Sequence, residues 1–246
     1  MQLSMEIPKA ILEQLSPLCD LDFALAQEVL QDAEYTAFYL KQRKAGRFVL
    51  LDNGFHELGR PLSSTELLLA ASKCDPSAVV APDWLGDPTT TYNAFFELLS
   101  ANRNRYRMGF VLCGKTGAER ASIFTKVAPH THVLCLPFKE PRFEWFQDLV
   151  DRIPATFKWP ARIHLLGVSS LRELTAFREL FLQLGISATR TSVDTGKPVK
   201  FGIIAKQLHD KLPLRGNGAL NHDYKGFTDK QLSTIHYNIA FLRKYM

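Results

Sequence analysis

The sequence predicts a single-domain α/β fold built on parallel strands, and three observations predict it. Seven short runs rich in Val, Ile, Leu and Phe recur along the chain, at 23–26, 48–51, 78–81, 108–112, 132–136, 162–166 and 186–192. Most are continuously apolar rather than alternating, which is the pattern of strands covered on both faces. Longer amphipathic stretches separate the runs, and no repeat, low-complexity tract or Ser/Gly/Pro linker divides the chain. The length, 246 residues, suits one α/β barrel, which takes roughly 250. On these grounds a TIM-type (β/α)8-like barrel and an open doubly wound sheet both fit.

The helical stretches carry their own start and stop signals. Ser63 followed by Glu66 forms a capping box ahead of Leu67-Leu68-Leu69, so a helix starts there. Asp87-Pro88 sets a capping residue and an N1 proline before 89–100. Ser169-Ser170 with Glu173 opens another helix, and Gly185 is its expected stop. No eighth strand is evident. After Asp194 the chain is loop-like, and 199–209 and 229–245 look helical, giving a C-terminal helical segment of about 199–246 within one domain spanning 1–246.

Composition excludes several classes. A hydrophobic fraction of 46% and 17 phenylalanines exclude a disordered chain, because this much apolar surface must be buried. No window approaches the ~20 apolar residues of a membrane span, and the first residues lack the pattern of a signal peptide. A cytoplasmic protein without a membrane partner is expected (host cytoplasm if phage-encoded). Cys19, Cys74, Cys113 and Cys135 never fall in a C-x-C or C-x-x-C spacing, so each reads as a small buried hydrophobe rather than a metal ligand. Residues 1–138 carry a net charge of −2 and residues 139–246 a net +7. Such a basic half suits a polyanionic partner, or simply a solvated surface.

The aspartates carry the chemistry. Asp52 follows the run 48–51, Asp83 follows Val79-Val80-Ala81-Pro82, and Asp194 follows Thr191-Ser192-Val193. Each stands at the C-terminal end of a predicted strand beside turn residues. In a parallel barrel all such ends meet at the rim that builds active sites. Singly, each could be a helix cap or turn initiator. Together they suit glycosidic-bond chemistry, in which one carboxylate meets the sugar and another moves protons. No G-x-G-x-x-G or Walker pattern points to a nucleotide cofactor.

At these positions the chain resembles the tRNA-guanine transglycosylase superfamily. Leu51-Asp52-Asn53-Gly54-Phe55-His56-Glu57-Leu58-Gly59 is similar to the family's D-S-G-G-F/Y-Q segment. It is closer still to the D-N-G-x-x-E-L-G form of the DNA-modifying, often phage-borne relatives. Val80-Ala81-Pro82-Asp83-Trp84-Leu85-Gly86-Asp87 stands where the family has its base-recognising Asp. Ile163-His164-Leu165-Leu166-Gly167-Val168 resembles the strand end Y-L-M-G-V-G, and Ser192-Val193-Asp194-Thr195 stands where the nucleophilic Asp follows. Order and spacing agree over roughly residues 20–200.

The resemblance implies a (β/α)8-like barrel that is a glycosyltransferase and exchanges guanine for a 7-deazaguanine such as 7-cyano-7-deazaguanine (preQ0). By it, Asp194 attacks C1′ and holds a covalent sugar ester, Asp52 takes or gives the proton, and Asp83 accepts hydrogen bonds from the base. Asn53, Gly54, Phe55 and His56 would line the base site, with Phe55 or His56 stacked on the ring. Leu166 and Gly167 would form the opposite wall, and Cys113 and Gly114 would stand where the family has a base-reading Gln. No cofactor and no metal are implied. His164 is expected to be a core residue.

The departures bear on the acceptor. The family's Cys-rich zinc subdomain has no counterpart, and Gly109-Phe110-Val111-Leu112-Cys113-Gly114 lacks the Gln. The short chain and the missing zinc subdomain favour DNA over tRNA. Lys197, Lys200, Lys206 and Arg215 are the candidate strand contacts, with Arg103, Arg105 and Arg107 as further cations. The sequence therefore predicts DNA base exchange. The rivals are the same chemistry on tRNA, a hydrolytic N-glycosidase, and a non-catalytic nucleic-acid-binding barrel whose three aspartates are caps.

Overall fold

Eight short parallel strands alternate with helices in the computed structural model of the chain, which describes residues 1–138, 141–168, 170–209 and 224–246. In chain order the elements are β1 (Gln2–Ser4), α1 (Leu12–Leu15), β2 (Asp22–Leu25), α2 (Ala26–Gln31), α3 (Ala33–Lys44), β3 (Val49–Asp52), α4 (Phe55–Leu58), α5 (Ser64–Cys74), β4 (Ala78–Val80), α6 (Pro88–Asn102), β5 (Arg107–Val111), α7 (Gly117–Val127), β6 (Val133–Leu136), α8 (Arg142–Arg152), β7 (Arg162–Leu165), α9 (Leu171–Gln183), β8 (Thr191–Asp194), α10 (Lys197–Ile203) and α11 (Asp229–Arg243). The strands form one sheet in the order β1-β8-β7-β6-β5-β4-β3-β2. That order, with a helix after every strand, is the topology of an α/β TIM-type (β/α)8 barrel.

The missing eighth strand is at the other end of the chain from where the sequence suggested looking. It is β1, three residues of alternating character that pair in parallel with β8 through Gln2↔Ser192, Leu3↔Val193 and Ser4↔Asp194. The run at 186–192 is also corrected. Residues Ala188–Arg190 form a 3-10 turn, and the strand starts at Thr191 and includes Asp194. Asp194 is thus held by the ladder rather than placed in the turn beyond it.

The chain divides into two compact units, Asp22–His164 and Met1–Leu21 with Leu165–Met246. In the first, β2 to β6 pair in register, from Leu25↔Asp52 to Val80↔Gly109 and Val111↔Cys135. Strands β2, β3, β4 and β6 are buried along their whole length. The helix signals operate as expected: Ser63 and Glu66 form the reciprocal capping box, and Asp87 caps α6 with Pro88 at N1. His164 is fully buried and stacks on Phe23 at 5.7 Å between ring centroids. All four cysteines are buried, and none is in a disulfide.

In the second unit α10 lies against α11. Asn238 on α11 is fully buried and staples this pair. It donates to the carbonyls of Pro198 and Lys206, each at 3.2 Å, and accepts from the Leu208 N–H at 2.7 Å. Ser170 caps α9, which ends before Gly185 at a φ of 66°. Among the described residues no helix is long and apolar enough to cross a membrane.

The crossing of α10 and α11 depends on a glycine. A Cβ at Gly202 would stand 2.1 Å from Ile235 Cγ1. Gly202→Ala is expected to lower stability by about 1–3 kcal/mol through overpacking. The loss should shrink in an Ile235→Ala background, as a denaturant double-mutant cycle would measure. Full additivity would mean that the two residues do not touch.

Candidate active site

In the unit Asp22–His164 the ends of β3 and β4 form a hydrogen-bonded group around buried carboxyls. Asp52, the last residue of β3, is 8% exposed, and its Oδ2 accepts from the Gly54 N–H at 3.0 Å. Gly54 adopts a φ of 78°, and a Cβ there would meet Gln27 Oε1 at 2.8 Å, so the turn requires glycine. Asn53 bridges the two strand ends. Its Nδ2 donates to the Ala81 carbonyl at 2.8 Å and to Asp83 Oδ1 at 2.7 Å, while its Oδ1 accepts from the Phe55 N–H at 3.0 Å. Asp83 is 9% exposed. Burial pushes its carboxyl up to about 6, with the Asn53 hydrogen bond opposing.

Asp83 forms part of the wall of a cavity of about 290 Å³, at the lower end of the ~300–1,000 Å³ usual for small-molecule sites. Trp84 and Trp145 contribute aromatic surface, and Val111 to Lys115, Thr91 and Pro137 complete most of the lining. The Trp84 N–H donates to Thr91 Oγ1 at 2.9 Å, which ties this wall to α6. Trp145 lies under the Arg120 guanidinium, 4.5 Å from the ring centroid. Arg120 in turn donates to the Gly114 carbonyl and to Asp148 Oδ2, each at 3.1 Å. Gly114 has a φ of 136°, and a Cβ would stand 2.5 Å from Arg120 Cγ. The loop after β5 is thereby fixed close to the cavity. Burial, with the Asp83 charge adding, pushes the Cys113 thiol up to about 12, so it is a neutral wall residue and not a nucleophile.

Of the residues singled out in the sequence, Asp83, Cys113 and Gly114 line this cavity. Asp52, Asn53 and Gly54 brace the neighbouring turn. Phe55 and His56 are not among the lining residues: Phe55 is half-buried, and His56 is exposed with its ring edge-on to Phe138 at 6.1 Å. The aromatic surfaces come instead from Trp84, which directly follows Asp83 in the sequence, and from Trp145 within α8. Arg103, Arg105 and Arg107 precede or begin β5, whereas the cavity lies at its other end with Val111. They are therefore remote from it along the strand, and Arg105 covers Tyr106 at 5.1 Å.

In the second unit the end of β8 presents Asp194, 2% exposed. Its Oδ1 accepts from the Gly167 N–H at 2.9 Å, and its main-chain carbonyl accepts from the Val168 N–H at 3.0 Å. Gly167, with a φ of 58°, thus orients the carboxylate. Leu166 beside it is half-buried. Around Asp194 lie charges that the sequence reading missed or misplaced. Glu6, two residues beyond β1, is 9% exposed and interacts electrostatically with Asp194, Lys200 and Lys197.

The lysines expected to meet a nucleic-acid strand separate in the structure. Lys197 is 8% exposed, its pKa lowered by burial and by Lys200 and raised by Glu6. Its position places it in the charge cluster with Glu6 and Lys200. Lys200 is half-buried and Lys206 exposed, while Arg215 lies outside the described residues. Glu6 carries no motif, and only the β1–β8 pairing brings it to this cluster. Compared with known proteins, the chain matches no family model and no curated protein.

The raised Asp83 carboxyl has a consequence for stability. Its native pKa of about 6 exceeds the ordinary 3.8, so the protonated form is favoured on folding. Its contribution is present below pH 3.8 and lost as pH rises through 6. Asp83→Asn keeps an acceptor for Asn53 without the charge. It is expected to stabilise the fold at pH 8 by about 2 kcal/mol and to change little at pH 3.5, as read by denaturant midpoints. A variant no more stable at pH 8 would show that the carboxyl is well solvated.

Proposed function

We propose that the protein exchanges guanine in DNA for a 7-deazaguanine, preQ0 or a derivative, through a covalent sugar ester on Asp194. The observation that carries this reading is the cavity of about 290 Å³ that joins the Asp83 carboxyl to two tryptophan surfaces. A planar base offering a pair of N–H donors suits such a lining. An ionised Asp83 accepts both, and the indoles supply stacking. The resemblance of 51–59, 80–87, 163–168 and 192–195 to the transglycosylases supports the same assignment.

Asp194 supplies the chemistry. Its Gly167 N–H contact leaves one oxygen oriented. In this reading that carboxylate attacks C1′ as the C1′–N9 bond breaks, and guanine departs with the bonding pair and takes a proton. The sugar is held as an ester and the strand stays intact. The N9 of the incoming 7-deazaguanine then displaces Asp194 and loses its proton, and two displacements retain configuration. By the resemblance Asp52 handles the proton. A guanine in duplex DNA must first leave the stack, at a cost of a few kcal/mol. The DNA assignment draws on the four cysteines, each separately buried, a set that does not fit the zinc site of the tRNA enzymes.

Incubation with labelled preQ0 tests the reading. Label should enter guanine-containing DNA, with one guanine released per base incorporated. Label entering only tRNA would overturn the acceptor, and guanine release without incorporation would indicate a glycosidase. No release from either would leave a binding protein. Because Asp83 accepts only while ionised, the KM for free base should rise as pH falls below about 6. A KM flat from pH 5 to 8 would contradict its role as base acceptor.

A further inference from the structure

The charge cluster around Asp194 contains a carboxyl that the reaction above leaves without a task. Glu6 is more than nine-tenths buried. Its Oε2 is inaccessible and has no hydrogen-bond partner among the described residues. Such a group is retained at a destabilising cost, so a structural role alone explains it poorly. Its placement is set by backbone pairing. Ser4 of β1 is in register with Asp194, which brings the segment that follows β1 beside the residues that follow β8. A Cβ at Gly196 would stand 3.1 Å from Glu6 Oε2 and 3.5 Å from Lys200 Nζ. Glycine at this position thus permits the carboxyl, the lysine and the turn after Asp194 to approach one another.

We propose that Glu6 is the acid–base residue of the reaction at Asp194, giving a proton to the departing base and taking one from the incoming base. The inference rests on the transglycosylase reading of Asp194 and reassigns the proton-carrying role that the family resemblance gives to Asp52. The balance is simple. As Asp194 forms its bond to C1′, the C1′–N9 electrons move onto the purine, and the Glu6 proton neutralises it. Glu6 is then a carboxylate. When the N9 of the second base attacks C1′ and Asp194 leaves, the N9 proton returns to Glu6, which is restored for the next cycle.

The electrostatics fit the role. Burial and, secondarily, the Asp194 charge raise the Glu6 carboxyl to about 7, while Lys200 and Lys197 hold it lower than it would otherwise be. The charged groups around it are Asp194 on β8 and Lys197 and Lys200 on α10. A group half-protonated near neutrality is well matched to giving and taking a proton in turn.

Two measurements test the inference. Carboxyl NMR of the protein labelled at glutamate, assigned by the resonance lost in Glu6→Gln, should show Glu6 titrating near 7 and moving down in Asp194→Asn. Titration in the ordinary glutamate range would overturn the proposal whatever reaction the protein performs. In the exchange assay, Glu6→Gln should lower turnover about 10²-fold or more and remove the pH dependence centred near 7, with thermal stability at pH 8 no lower than that of the wild type. If Asp194→Asn abolishes exchange while Glu6→Gln retains the wild-type rate and pH profile, Glu6 is not the proton carrier although the transglycosylase reading stands. Loss of the neutral-pH dependence in Asp52→Asn instead would return the role to Asp52. Absence of exchange by the wild-type protein on both DNA and tRNA would overturn the reading and the inference together.

Discussion

Burying carboxylates at strand ends is the constraint around which the rest of the molecule is arranged. A carboxylate withdrawn from water is strongly destabilising unless donors replace the lost solvation. Asp52 and Asp194 solve the problem alike, each accepting from the main-chain N–H of a glycine in the left-handed region, Gly54 and Gly167. Asp83 uses a side-chain amide, because Asn53 is held between the ends of β3 and β4. The turns at these strand ends therefore do two things at once. They reverse the chain, and they provide the donors that let negative charge remain in a buried place.

The environments of Asp83 and Glu6 differ, and so do their affinities for protons. Asp83 faces an aromatic cavity and is pushed up to about 6 by burial. Glu6 is pushed further, to about 7, because burial is reinforced by the neighbouring Asp194. In the proposed reaction this difference would suit Asp83 to accept from a base and Glu6 to carry a proton. The buried ammonium of Lys197 and the half-buried Lys200 limit the repulsion between Glu6 and Asp194. The basic character of the C-terminal half thus serves an internal purpose in part.

The strand ends were legible because two local patterns coincide there: a continuous apolar run, and an Asp followed by a turn residue. β3 with Asp52-Asn53-Gly54 shows both, whereas β8, Thr191–Asp194, shows only the Asp before a turn, and its expected run at 186–192 began too early because 188–190 form a 3-10 turn. The helix caps at Ser63, Asp87 and Ser170 were legible for the same reason, since a cap is satisfied within four residues. β1 was not, because three residues Gln2–Ser4 have no period to detect and gain their strand character from pairing with β8. Glu6 was hidden with it: its burial is a product of that long-range register. Trp145 gave no signal either, since on α8 an apolar residue reads as packing surface, and its place at the cavity depends on Arg120 and Gly114 from the preceding repeat.

The central claim is that Asp194 forms a bond to the sugar, and peptide mass spectrometry of a trapped complex tests it most directly. The protein would be incubated with guanine-containing DNA in the absence of incoming base, denatured, and digested with nuclease and trypsin. The expected result is a deoxyribose remnant on the peptide spanning 191–200, localised to Asp194 by fragmentation. A remnant on Asp52 or Glu6, or guanine release with no covalent protein species, would contradict the account.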